Sequence, residues 1–169
     1  MRILAIAFSL LVLVTSCKED LCKDTVCLNG GTCLDGLGTC ECQPGFEGDS
    51  CQVFTFERYL GIFEADYGSC VNTPPEHRVG IAQESGANKL RITNLGDYAC
   101  PSGVLAVLAD VSGTTLTMPE QQIDCGDIVY TFSGTGQLDG EFLTIDFKVV
   151  YDADGFVRTD NCTATLQKG

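Results

Sequence analysis

The sequence predicts a mainly β protein in two parts, a small disulfide-stapled module followed by an eight-stranded antiparallel meander. Three observations carry that reading. Eleven cysteines fall in 169 residues, six of them between Cys22 and Cys51. After Cys51 the composition turns to alternating apolar and polar residues separated by turn signals. No segment shows a convincing helical period. Cysteines this dense belong to compartments where disulfides persist, so the mature protein is expected outside the cytoplasm.

The N-terminus explains the odd cysteine. Met1-Arg2 is a short basic start, Ile3 to Val14 is apolar except for Ser9, and the small residues Thr15-Ser16 precede Cys17. That is the layout of a signal peptide over residues 1–16. Without Cys17 ten cysteines remain, an even number that can pair completely. Val14-Thr15-Ser16-Cys17 resembles a bacterial lipobox, with the preferred Leu one place early at Leu13. The resemblance implies acylation of Cys17, and therefore a membrane partner through a lipid anchor and an outer-membrane location. Residues 17–21 are then the lipidated cysteine and an acidic linker, in which Lys18-Glu19-Asp20 resembles the export tag of surface-exposed Bacteroidota lipoproteins. A solvated charged linker accounts for the same three residues. Asp24-Thr25-Val26 is similar to the short O-glycosylation motif of that group.

Residues 22–52 form the first module. Cys22, Cys27, Cys33, Cys40, Cys42 and Cys51 enclose too little chain to bury a core, so covalent staples must hold it, and six cysteines allow fifteen pairings. Zinc is the competing use of dense cysteines, but there is neither a pair of Cys-x2-Cys knuckles nor a histidine here. Cys40-Glu41-Cys42-Gln43-Pro44-Gly45-Phe46 through Cys51 resembles the EGF-like signature, and Asn29-Gly30-Gly31 resembles its turn. The resemblance implies the pairs Cys22 with Cys33, Cys27 with Cys40, and Cys42 with Cys51. Calcium-binding members carry acidic or amide residues just before the first cysteine. Here Asp20 and Asp35 are present, but Leu21 takes the acidic place beside Cys22 and no aromatic follows Asp35.

Residues 53–169 form the second domain. Leu143, Ile145, Phe147, Val149 and Tyr151 alternate with mostly polar residues, which marks a half-buried strand. Weaker alternation predicts strands around 54–63, 78–84, 89–95, 103–111, 114–118, 127–133 and 156–166. Pro74-Pro75, Gly86-Ala87-Asn88, Ser112-Gly113 and Asp152-Ala153-Asp154-Gly155 supply turns. Short connections favour a meander closed into a barrel, although an open sandwich satisfies the same pattern. In such a meander alternate connections share an end. The loops after strands three and five are therefore neighbours, which pairs Cys100 with Cys125; closure pairs Cys70 with Cys162. Gly61-Ile62-Phe63 resembles the Gly-x-Trp of lipocalins, which implies a lipocalin-like barrel with a ligand cavity, although a barrel of this size can equally be filled by its own side chains.

Net charge is −13, with 23 acidic residues against 10 basic ones that are scattered, which argues against nucleic acid. The one histidine, His77, follows Pro74-Pro75-Glu76 and reads as a surface residue in a turn. Every cysteine after Cys17 is expected to have a disulfide partner, which would leave neither a thiol nucleophile nor a soft metal ligand. Gly134-Thr135-Gly136 is read at a strand turn and not as a nucleotide loop. No catalytic residue, metal ligand or cofactor is assigned. The function expected is non-enzymatic binding of another protein or a surface glycan. The alternatives are a lipocalin-like carrier of a small apolar ligand and, behind it, a carboxylate-dependent hydrolase. The stapled end of the barrel, with Glu76, Arg78, Asp97 and Glu120 near it, is expected to face the partner, and Asp139 and Glu141 mark the other end.

Overall fold

The computed structural model describes residues 20–70, 77–101, 103–153 and 155–169. Cys17, Lys18, Glu19 and the turn residues Pro74, Pro75 and Glu76 lie outside them, as does the leader.

The first module is the EGF-like unit. Strands β1 (Thr32–Leu34) and β2 (Thr39–Glu41) pair antiparallel with Cys33 opposite Cys40, and β3 (Phe46–Glu47) pairs with β4 (Val53–Phe54). Disulfides join Cys22 to Cys33, Cys27 to Cys40 and Cys42 to Cys51. Most of the module's apolar side chains are exposed, so the staples do what a core does in a larger domain.

The second domain is a closed barrel of eight antiparallel strands: β5 (Gly61–Tyr67), β6 (His77–Gln83), β7 (Lys89–Thr93), β8 (Ala106–Ser112), β9 (Thr115–Asp124), β10 (Val129–Asp139), β11 (Phe142–Ala153) and β12 (Phe156–Lys168). Each strand pairs with its sequence neighbours, and β12 closes onto β5 from Ala164 opposite Tyr67 to Lys168 opposite Phe63. Inward positions alternate along every strand, and Phe63, Val79, Ile92, Val107, Leu116, Phe132, Ile145 and Leu166 are among those that meet in one buried cluster. Closure leaves no unpaired sheet edge on which another chain could grow.

The weakest seam is between β8 and β9, whose ladder runs only from Asp110 opposite Thr117 to Ser112 opposite Thr115. Above it Pro119 and Glu120 of β9 face the single residue Ser133 of β10, a bulge at the place where proline, lacking an N–H, is tolerated. The Gln121 amide then stands in for the missing ladder. Its Oε1 accepts from the Leu108 N–H and its Nε2 donates to the Leu108 carbonyl, both at 2.8 Å.

Several boundaries differ from the sequence reading. The strand expected over 54–63 is a short β4, a 3-10 turn at Thr55–Tyr59 and then β5. Phe56 and Tyr59 of that turn are buried in the near mouth of the barrel, and the Tyr59 hydroxyl donates to the Gly113 carbonyl at 3.0 Å. The alternating aromatics there mark a plug and not a strand. β7 stops at Thr93 because Asn94 takes a left-handed conformation, φ 67°, and β8 begins at Ala106. Strands β9 and β10 run on to Asp124 and Asp139. Gly134-Thr135-Gly136 lies in the middle of β10, so it is no turn. A Cβ on Gly134 would stand 2.5 Å from the Asp146 carbonyl oxygen and 2.7 Å from Met118 Cε, so close approach of β9 and β11 requires glycine.

The two parts are joined tightly. A Cβ on Gly45 would lie 2.6 Å from the Ala87 carbonyl oxygen, the Thr55 N–H donates to the Gly45 carbonyl at 3.0 Å, and Arg58 pairs with Glu47. Phe46, Phe54 and Phe56 continue the contact as a chain of rings about 5.0 and 5.2 Å apart. The EGF-like unit therefore sits on the near end of the barrel, beside the 3-10 plug.

Candidate functional site

Strand parity puts the ends of β5, β7, β9 and β11 at the far end of the barrel, away from the EGF-like unit. The Cys100–Cys125 and Cys70–Cys162 disulfides lie toward that end. Three departures into left-handed backbone within four residues, at Asn94, Gly96 and Asp97, fold the loop after β7 down into the mouth. Leu95 is buried there, and the Tyr98 ring lies 5.5 to 5.8 Å from Tyr130, Phe132 and Tyr151.

Among the described residues no buried side-chain polar atom lacks a hydrogen-bond partner. Asp160, on the inward face of β12 and 6% exposed, accepts from the Tyr98 hydroxyl at 2.9 Å and the Tyr151 hydroxyl at 3.5 Å. Burial, reinforced by the Asp160 hydrogen bond, holds the Tyr98 phenol well above its ordinary range. Tyr130 donates to the Ala99 carbonyl at 2.9 Å, and burial raises its pKa too. The Gly96 N–H donates to the Tyr67 hydroxyl at 2.9 Å, and burial pushes Tyr67 up to about 12.

His77 is not the surface residue its sequence context suggests. It opens β6 on the inward side, is 9% exposed, and its Nε2–H donates to the Asn94 carbonyl at 2.6 Å. Inward parity with Val79 and Ile81 outweighs the neighbouring prolines. The imidazole braces the plug loop, and Nδ1 faces Asp97 at 3.7 Å.

Side chains from both ends of the chain's barrel reach into its interior. Both mouths are occupied by the chain's own side chains, Phe56 and Tyr59 at one and Leu95 and Tyr98 at the other, and these join the central cluster or pack on it. A barrel of eight strands is wide enough to be filled by its own side chains or to hold one small ligand.

What the far end offers is surface. At the β11–β12 hairpin Phe156 is 72% exposed and Val157 is 74% exposed. Val157 pairs with Asp152, Val129 at the start of β10 is exposed, and Val104 stands exposed in the loop before β8. Arg78 and Asp97 lie at this end and Glu120 is on β9, whereas Asp139 and Glu141 are at the near end. On the outer face of β9 to β12, Thr117, Ser133, Thr135, Asp146, Lys148 and Asn161 line an open groove of 570 Å³. Thr163 fixes one Asp146 oxygen by a 2.6 Å hydrogen bond.

Of the residues weighed for calcium, Asp20, Cys22 and Asp35 converge. Cys22 is spent in its disulfide and its N–H donates to Asp20 at 3.1 Å, which leaves two exposed carboxylates. The sequence reading passed over the Tyr98–Asp160 pair. An acid at an inward position of β12, in register with Cys162, Ala164 and Leu166, was the signal that could have found it.

Residues 22–50 match the family model of the EGF-like domain. The first module is EGF-like. Its relatives include the protocadherin-like wing polarity protein stan of Drosophila melanogaster, 54% identical over 37 residues, covering 21% of this chain and 1% of that protein. The versican core protein of Rattus norvegicus is 50% identical over 36 residues, 20% of this chain and 1% of its own. Neurogenic locus notch homolog protein 4 of Homo sapiens is 62% identical over 29 residues, 15% of this chain and 1% of its own. The chain thus spans about one hundredth of these relatives. The barrel is similar to short afifavidin in its biotin complex, with TM-score 0.39 and 14% identity over 66% of this chain and 93% of that one. It is similar also to intact apo afifavidin, with TM-score 0.40 and 12% identity over 69% and 90%.

Proposed function

We propose that the chain is a lipid-anchored cell-surface protein that binds another protein through the far end of its barrel and catalyses nothing. The observation that carries this reading is a filled barrel whose far end exposes Phe156 and Val157, at 72% and 74%. Large apolar side chains standing free around a braced mouth suit a contact surface, and the disulfides nearby lower the ordering cost of binding. The anchor rests on the leader and Cys17; surface display rests on Lys18-Glu19-Asp20. A non-enzymatic role is supported by a sole histidine occupied with the plug loop and by ten cysteines in five disulfides.

The test is a binding screen on cells of the native membrane. Phe156→Glu, Val157→Glu and charge reversals at Arg78, Asp97 and Glu120 are expected to weaken capture of the partner without lowering thermal stability. Reversals at Asp139 and Glu141 are expected to leave it intact. Equal loss at both ends, or none at either, overturns the reading. A glycan partner has one observation in its favour, the hydroxyl- and amide-lined groove of β9 to β12. Loss of binding on Thr135→Val and Asn161→Leu, with the far-end variants unchanged, would select it.

A further inference from the structure

The EGF-like unit has a free end as well as a docked one. Its docked end, around Gly45, Glu47 and Phe54, meets the near end of the barrel. At the opposite end three backbone segments converge. The single proton of the Thr25 hydroxyl is shared between the Leu21 carbonyl at 3.0 Å and the Gly38 carbonyl at 3.3 Å, and a Cβ on Gly38 would lie 3.1 Å from Leu21 Cβ. Leu21, Val26 and Leu37 are carried there at 44%, 70% and 68% exposed.

These residues are more than a scatter of surface aliphatics, because the chain fixes what lies next to them. Only three residues separate Leu21 from Cys17. Four extended Cα steps reach about 14 Å. If Cys17 carries acyl chains, this end of the unit cannot leave the bilayer surface.

We infer that Leu21, Val26 and Leu37 form a lipid-contacting face that seats the EGF-like unit on the bilayer and holds the barrel's far end away from it. The inference rests on the lipid-anchor reading and specifies what the anchor does. Asp20, Asp24 and Asp35 are exposed around the aliphatics, so the seat is shallow, at headgroup level. Anchor, seat, docked unit and exposed hairpin then follow one another outward from the membrane.

Tryptophan is absent from the chain, so one substitution supplies a unique fluorophore. Leu37→Trp, Val26→Trp and, as a control, Phe156→Trp are made in the full-length protein, purified from membranes and reconstituted in phosphatidylcholine vesicles. Acylation of Cys17 is verified by mass in each preparation. Leu37→Trp and Val26→Trp are expected to emit at shorter wavelength and to be quenched about twofold by lipids brominated on the upper acyl chain, as interfacial burial implies. Phe156→Trp is expected to show neither effect.

Acylated protein in which neither seat variant is quenched overturns the inference and leaves the anchor standing. A blue shift without quenching places a second copy of the chain on the face and also overturns it. Protein without acyl chains on Cys17 removes the anchor and the seat together. Two fluorophore positions guard against one substitution disturbing the turn.

Discussion

The Tyr98 hydroxyl donates to the Asp160 carboxylate at 2.9 Å inside the far mouth of the barrel. The pair joins the plug loop to the last strand. Tyr98→Phe keeps the ring among Tyr130, Phe132 and Tyr151 but removes the donor, and Asp160 is left with Tyr151 at 3.5 Å. Depriving a buried carboxylate of its better partner costs about 1–3 kcal/mol. Urea unfolding is expected to show that loss, while Asp160→Asn, which retains an acceptor, loses less.

Alkaline pH tests the buried phenols. Burial pushes Tyr59 and Tyr67 up to about 12, against about 10 in the unfolded chain. Between those values the unfolded state gives up protons that the folded state retains. Stability is therefore complete below pH 10 and falls as pH rises toward 12. Phenolate absorbance from these residues is expected to appear together with loss of β-sheet circular dichroism. Ionisation at pH 10 in the folded protein would contradict the burial.

The bulge region makes a sharp steric prediction. Gly134→Ala drives a Cβ to 2.5 Å from the Asp146 carbonyl, and overpacking of this kind costs about 1–3 kcal/mol. Gly68→Ala meets nothing within 4 Å and is expected to be neutral. Thermal melts of the two variants, compared with the parent, check the difference.

Removing the barrel's disulfides one at a time ranks them. Cys70 and Cys162 are 92 residues apart and Cys100 and Cys125 are 25 apart. Loop-closure entropy gives about 4.7 kcal/mol for the first and about 3.5 kcal/mol for the second. The Cys70→Ala/Cys162→Ala double variant is expected to unfold at the lower denaturant concentration. The reverse order would mean that the Cys100–Cys125 bridge acts chiefly through the plug loop it anchors.

The barrel was legible where one face is buried over many residues. Leu143 to Tyr151 alternates without a break because β11 is paired along its whole length. Parity along the meander also brought Cys100 and Cys125 to one end, where they are bonded. What misled was chain buried for reasons other than sheet pairing. Phe56 and Tyr59 have the aromatic content of a strand but are buried by plugging a mouth, and His77 has the context of a turn but the parity of a core residue. Leu95 was read as the end of a strand, although the left-handed Asn94 has already turned the chain inward. The Gln121 amide that completes the β8–β9 seam left no trace in local periodicity, because its partner Leu108 is on another strand. The exposure of the hairpin was not legible because Phe156 and Val157 resemble any other strand start in sequence.

The Cys70–Cys162 bridge ties the end of the barrel's first strand to its last, across the seam where β12 meets β5. Six of the eight strands lie wholly between the two cysteines. A protease that cuts once anywhere in that stretch opens the backbone but releases nothing. Both pieces stay joined by sulfur and by the paired strands on either side of the cut. The barrel is in effect a ring that a single cleavage cannot break in two.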